Sequence, residues 1–332
     1  MSDEFSRIAA LATRIGSPGR GVTLGIGDDA AILAPRAGGI VLSVYTAIEG
    51  VHFRRGWAPL RTLARRAVMA ALSDLAAMGA APRATLVALA LPADLDDAAF
   101  LELVDGTADA AREAGAPLVG GNLASAGELS ITTTVVGEAG MRSLTRAGAQ
   151  VGDAIYVTGV LGAAALGLAL LSRGEGDAVA GAAFVAHWCT PTARLAEGRA
   201  LVSGGATACI DVSDGLAQDL GHLCAASAVA ARIELAALPM LAEQRAQARA
   251  LGLDAETLAV AGGEDYELVF TGPASATLAA IGTRIGEVVH RDADEGSRSD
   301  AGGRPVATNV QFVDAHGRTV ALAARGFVHF RR

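Results

Sequence analysis

The segment ACIDVSDGLAQDLGHL, residues 208–223, runs from an apolar strand through an acidic turn into a helix. Cys209 and Ile210 belong to the strand, Asp211, Ser213, Asp214 and Gly215 make the turn, and Leu216, Leu220 and Leu223 recur at helical spacing. A strand–turn–helix unit of this kind belongs to an α/β chain. Backbone N–H groups gather where such a helix starts, and they favour an anion or an acid that caps it. Ser213 or Asp214 suits a plain N-cap. Capping leaves Asp211, at the end of the strand, unexplained.

Three more acidic turns share the chain: GIGDDA at 25–30, LSDLAAMGA at 72–80 and GGEDYEL at 262–268. GIGDD by itself reads equally as a polar turn. Asp74 says more, because it is the only charged side chain from Ala67 to Pro82, in a helix of Ala, Leu and Met. An unpaired buried carboxylate costs roughly several kcal/mol, so Asp74 needs a cation, a set of donors or a helix end near water. We take the cation as the expectation. In GGEDYEL two glycines precede Glu264, Asp265 and a strand from Tyr266 to Phe270, and the alternative reading is a glycine turn into an edge strand with solvated acids.

The 332 residues suit two domains of ordinary size, and an apolar fraction of 52 % with 4 % aromatics describes a packed α/β protein. Every one of the 27 positive groups is Arg; the chain contains no Lys. A net charge of −8, with the arginines scattered among 35 acids, argues against nucleic acid or an anionic membrane as a partner. Without Lys, a GKS/T phosphate loop, a protein-kinase lysine and Schiff-base chemistry are all excluded. Phosphate must then be handled by Arg and by carboxylate-held Mg²⁺. Cys189, Cys209 and Cys224 lack CxxC spacing and read as small core residues in a reducing compartment. The N-terminus, MSDEFSRIAALATRIG, matches neither a signal nor a transit peptide, and no uncharged apolar run is long enough to span a bilayer. The expectation is a cytoplasmic protein.

Apolar spacing predicts a helix over 5–15, strands at Ala30–Leu33 and Ile40–Tyr45, and a helix over 60–79 with Pro59 suited to its start. A strand at 83–92, a helix near 96–114, a strand at Pro117–Gly120 and the alternating ELSITTTVVGE at 128–138 complete a first half. The turn-rich AGAQVGD closes it. The second half holds AIYVTG, a helix over 160–172, the opening segment, ARIELAALP, EDYELVFTG and RIGEVV. Residues 291–306 are polar and Gly-rich and read as an exposed loop.

The pieces GIGDDAAIL, EGVHF, LSDLAAMGA, LTRAGAQVGD, IDVSDGLAQDLGH and GGEDYELVFT, in this order, resemble thiamine-monophosphate kinase. That family belongs to the superfamily of aminoimidazole-ribotide synthetase, selenophosphate synthetase and a hydrogenase maturation protein. The match is collinear from Glu4 to the C-terminal GFVHF. It implies a two-domain α/β (α+β) fold, with residues 1–149 as an ATP- and metal-binding domain that pairs sheets across a homodimer and residues 150–332 as a domain that completes the substrate site. It also implies transfer of the γ-phosphoryl of ATP to the phosphate of thiamine monophosphate. That acceptor is already an anionic nucleophile, so no general base and no phospho-enzyme are required, and alignment with Mg²⁺ carries the reaction.

Carried over by position, the resemblance makes Asp29, Ser43, Asp74, Asp211 and Asp214 metal-holding, and makes Gly121, Asn122, Arg146 and Ser213 ATP contacts. His52, Glu264 and Phe327 become thiamine-phosphate contacts, with Phe327 standing where the family has Tyr or Trp. On the residues alone, His52 reads as a packing histidine. Two positions depart from the family pattern: Tyr45 and Asn122 each replace an Asp that the resemblance assigns to one metal position. A neutral phenol is a poor Mg²⁺ ligand, and Asn122 keeps an oxygen without its charge. The alternatives are therefore a catalytically impaired homologue that still binds nucleotide or thiamine phosphate, or a related ATP-dependent enzyme with another acceptor.

Overall fold

The structure, a computed structural model, describes residues 10–11, 13–16, 21–24, 32–35, 38–140, 142–176, 181–291 and 309–322. Asp29, Phe327 and residues 292–306 of the expected loop lie outside them. So do most of the expected first helix, of which 10–11 and 13–15 are helical, and Ala30 and Ala31 of the first expected strand. The chain divides into two compact units, one running to Leu75 and resuming over Ala80–Met141, the other taking Ala76–Gly79 and everything from Arg142.

The first unit is built on a four-stranded sheet of order β3-β6-β4-β5, with β3 at Ile40–Ile48, β4 at Ala81–Leu91, β5 at Leu118–Ser125 and β6 at Ser130–Glu138. Strand β5 runs on to Ser125, past the expected end at Gly120. Two helices accompany the sheet: α1, Leu60–Ala77, follows Pro59, and α2, Asp97–Glu113, is capped by the Asp96 carboxylate accepting from Ala99 N. The register explains the alternation in sequence. Ala47, Ile131, Thr133, Val135, Thr85 and Leu89 fall in rows of one parity and are buried. On the other face Ala84 and Val136 are covered by Val22 of β1, Val22–Leu24, and Leu33 of β2, Ile32–Leu33. Further along that face β3 leaves Ile40, Leu42 and Val44 68, 65 and 61 % exposed.

The second unit holds a six-stranded sheet of order β12-β9-β11-β7-β10-β8. Its strands are β7, Ala154–Val157; β8, Ala208–Val212; β9, Ala230–Glu234; β10, Glu267–Gly272; β11, Thr283–Val289; and β12, Val310–Val313. All neighbours are antiparallel except β12 and β9. Strands β7, β8 and β10 are buried along their whole length, and the Tyr156 and Phe270 rings stack across β7 and β10 at 5.2 Å. Helices α3, Ala163–Ser172, α4, Ala182–Cys189, and α5, Leu195–Gly204, precede β8, and α6, Leu216–Ser227, follows it. The leucines foreseen on α6, Leu216, Leu220 and Leu223, close over the sheet with Ile155, Ile210 and Val269. All three cysteines are free; burial pushes the Cys209 and Cys224 thiols up, as suits core residues, whereas Cys189 is only half-buried and not the core residue expected. Among the described residues no helix is long and apolar enough to cross a membrane.

Candidate functional site

In the second unit the opening segment folds as strand, turn and helix, but its turn is held in an unforeseen way. Gly215 is the N-cap residue of α6 and no side chain caps the helix, so neither Ser213 nor Asp214 is the expected cap. Instead the N–H groups of Ser213, Asp214 and Gly215 all donate to one oxygen of Asp219, at 3.0, 3.0 and 3.1 Å. The acceptor for the amides gathered at this helix start is thus supplied by the chain itself. Burial, and then the charges of Asp211 and Asp214, push Asp219 up to about 7. Asp211 is 7 % exposed on β8; Ser213 and Asp214 are partly exposed, and Asp214 accepts from the Gln218 side-chain amide at 2.8 Å.

GGEDYEL lies against this turn. Glu264 N donates to Ser213 O at 2.8 Å and Tyr266 N to Val212 O at 2.9 Å, so the two acidic segments form one structure. The reading of an edge strand with solvated acids is overturned, because β10 lies inside the sheet between β7 and β8 and each acid has a protein partner. Glu264 accepts from Trp188 Nε1 at 2.6 Å. Asp265 accepts from Gly162 N and Ala164 N at the start of α3, at 2.7 and 3.2 Å, and burial pushes it up to about 8. Glu267, 5 % exposed, takes both Nε and Nη2 of Arg194 at 2.6 Å and the Thr158 hydroxyl at 2.6 Å. Glu264 and Tyr266 adopt φ of +70° and +52°, left-handed values that non-glycine residues take only when the surroundings enforce them.

The first unit carries a second group of predicted residues. The Ser43 hydroxyl on β3 donates to Asp74 on α1, which unites two of the expected metal-holding residues and gives Asp74 a donor. His52 follows β3, its Nδ1 accepting from Ile48 N at 3.1 Å, which leaves the ring proton on Nε2. Its ring meets Tyr45 edge-on at 5.9 Å, so it also packs, as the plain reading had it. Tyr45 and His52 line a small pocket with Ala47, Phe53, Leu63, Arg66 and Ala67. Gly121 and Asn122 are exposed on β5.

Tyr45 and Asn122, expected at one metal position, stand apart within a chain. Strands β3 and β5 are opposite edges of the sheet, three strand spacings or about 14 Å across. Tyr45 falls in the row of Thr133, Val87 and Gly121, and Asn122 in the row of Thr46, Thr132 and Ala88, on the other face. Arg146 is an exposed residue of the second unit, its carbonyl held by the Ser227 hydroxyl at 2.9 Å.

For a metal, the candidate ligands are all hard oxygens. Among the described residues no three His, Cys, Asp or Glu gather in a metal-holding group. Mg²⁺ is commonly held by one or two carboxylates together with water and substrate phosphates, so pairs such as Ser43 with Asp74, and Asp211 with Asp214, fit its chemistry. Reasoning from sequence missed Asp219, Trp188 and Arg194. Asp219 was in plain view in the opening segment, but its helical position suggests only a solvated face.

Residues 27–139 match the model of the AIR synthase related protein N-terminal domain, and residues 150–296 that of the C-terminal domain. The chain is 41 % identical over 274 residues to the thiamine-monophosphate kinase of Escherichia coli O157:H7, covering 81 % of this chain and 82 % of the relative. Among solved structures, thiamine-monophosphate kinase from Stenotrophomonas maltophilia K279a superposes with a TM-score of 0.77 at 34 % identity, over 91 % of this chain and 96 % of that one. AaThiL complexed with AMPPCP and TMP superposes with the same TM-score at 28 % identity, over 98 % of this chain and 97 % of that one. With its two-unit α/β architecture and this identity along most of its length, the chain belongs to the thiamine-monophosphate kinase family.

Proposed function

We propose that the protein transfers the γ-phosphoryl of ATP directly to the phosphate of thiamine monophosphate, giving thiamine diphosphate. The observation that carries this reading is likeness over 98 % of the chain to AaThiL complexed with AMPPCP and TMP, in a chain whose IDVSDGL and GGEDYEL segments are hydrogen-bonded into one structure. Asp29, Ser43, Asp74, Asp211 and Asp214 would hold Mg²⁺, which supplies charge neutralisation along the ATP phosphates when bound. Arg146 supplies a guanidinium for phosphate in a chain without Lys, and Gly121, Asn122 and Ser213 are the further ATP contacts. His52, with its proton fixed on Nε2, donates a hydrogen bond to the thiamine phosphate; Glu264 and Phe327 complete that recognition. No residue need accept a proton, because the acceptor phosphate is ionised at neutral pH.

Residues 1–149 serve as the ATP- and metal-binding domain and 150–332 carry Glu264. The exposed Ile40, Leu42 and Val44 on edge strand β3 support a homodimer paired through this sheet. Three free cysteines support a reducing, cytoplasmic setting. The test is formation of thiamine diphosphate by purified protein from ATP, Mg²⁺ and thiamine monophosphate. Product that depends on all three is expected, and none above an enzyme-free control refutes the reading. Tight binding without product identifies the impaired homologue, and ATP hydrolysis indifferent to thiamine monophosphate points to another acceptor.

A further inference from the structure

Trp188 is fully buried on α4, and its indole N–H, a donor only, points at the Glu264 carboxylate with N to O of 2.6 Å. Backbone bonds already clamp the chain on both sides of that carboxylate: Glu264 N to Ser213 O, Tyr266 N to Val212 O, and Asp265 on the first amides of α3. They hold the main chain of Glu264 at φ +70° and leave the rotation of its side chain to be set separately. The indole N–H donates to the carboxylate and restrains that rotation, whereas Phe would fill most of the same core space without a donor.

We infer that Trp188 is a positioning residue, which orients the Glu264 carboxylate for recognition of a cationic heteroaromatic phosphate ester. The inference rests on the thiamine-phosphate reading above. A thiazolium ring is permanently positive, so a carboxylate of fixed orientation discriminates it from neutral phosphate esters. Trp188 touches no substrate and acts only through Glu264.

Trp188→Phe removes the donor and keeps most of the apolar volume. The KM for thiamine monophosphate is expected to rise about tenfold, while KM for ATP and kcat stay within about twofold. Glu264→Gln, which alters the substrate contact itself, should raise the KM for thiamine monophosphate at least as far, and the double variant should be no worse than Glu264→Gln alone. A residue of merely structural importance would lower stability and move both KM values or neither. An unchanged KM for thiamine monophosphate in folded Trp188→Phe, or additive effects in the double variant, overturns the inference. NMR gives an arm that leaves Trp188 in place. The chain has two tryptophans, so the indole N–H signals of Trp57 and Trp188 are easily told apart. In Glu264→Gln only the Trp188 signal should move upfield, and an unmoved signal overturns the contact. If the parent protein forms no thiamine diphosphate, the functional reading fails on its own. Calorimetry with thiamine monophosphate then makes the same comparison: an about tenfold weaker Kd in Trp188→Phe supports the inference, and an equal Kd overturns it.

Discussion

Arg194→Met should destabilise the second unit by about 2–3 kcal/mol. The Glu267 side chain is 7 % exposed and receives two hydrogen bonds from Arg194 and one from Thr158, whose own hydroxyl takes Leu268 N at 2.8 Å. Gly159, at φ +53°, makes room for the pair, since a Cβ there would stand 1.9 Å from Glu267 Oε1. Removing one partner of a fully buried ion pair costs about 3–5 kcal/mol. The Arg194 side chain is 26 % exposed, so water reaches the vacated side and the penalty is smaller. Substituting Glu267→Met as well removes the stranded carboxylate and should restore most of the loss, because two apolar groups need no partner. The assay is urea unfolding in a Trp57→Phe background, where emission from Trp188 reports the second unit alone. A loss of this size moves the midpoint by about 1 M. A shift below about 0.2 M, or a double variant as unstable as Arg194→Met, refutes the reasoning.

Three other outcomes follow from the same structure. Asp219 is held up to about 7, so from about pH 4 to that value the folded carboxyl keeps a proton that the unfolded chain has released. Stability then falls as pH rises through that window, by up to about 1.4 kcal/mol per unit, and Asp219→Asn should flatten the slope in urea midpoints taken with EDTA at pH 5 and 7; an unchanged slope contradicts this. Gly121→Ala would set a Cβ 1.9 Å from the Val87 carbonyl and push β5 off β4, with an expected cost of about 1–3 kcal/mol read by thermal melting and a parallel loss of ATP affinity by calorimetry. The proposed homodimer through edge strand β3 predicts that Leu42→Arg, on its apolar face, shifts sedimentation toward the monomer without lowering the melting temperature of the first unit; sedimentation unaltered by the substitution refutes pairing through β3.

Much of this protein was legible in its sequence, because hydrophobic periodicity is a local property. The spacing of Leu216, Leu220 and Leu223 gave α6, the run around Asp74 gave α1, and the alternating ELSITTTVVGE gave β6. The order of the acidic turns was enough to place the chain in its family, since turn chemistry depends on neighbours along the chain. Sequence could not tell what each acid does. Asp211, Asp214, Asp219, Glu264, Asp265 and Glu267 look alike as letters. The fold makes one of them the anchor of three backbone amides, another the cap of α3 and a third half of an ion pair. The last two roles arise from partners 103 and 73 residues away, Gly162 for Asp265 and Arg194 for Glu267, and Glu264 is likewise met by Trp188 from 76 residues away, whereas the Asp219 anchor is local and shows only once its turn has formed. Nor could sequence show that Tyr45 and Asn122 stand at opposite edges of one sheet, because strand order is decided by which ladders pair. Composition and periodicity determined the elements and the family. Tertiary structure determined which carboxylates are held by the protein, because burial and long-range hydrogen bonding exist only once the sheets have closed.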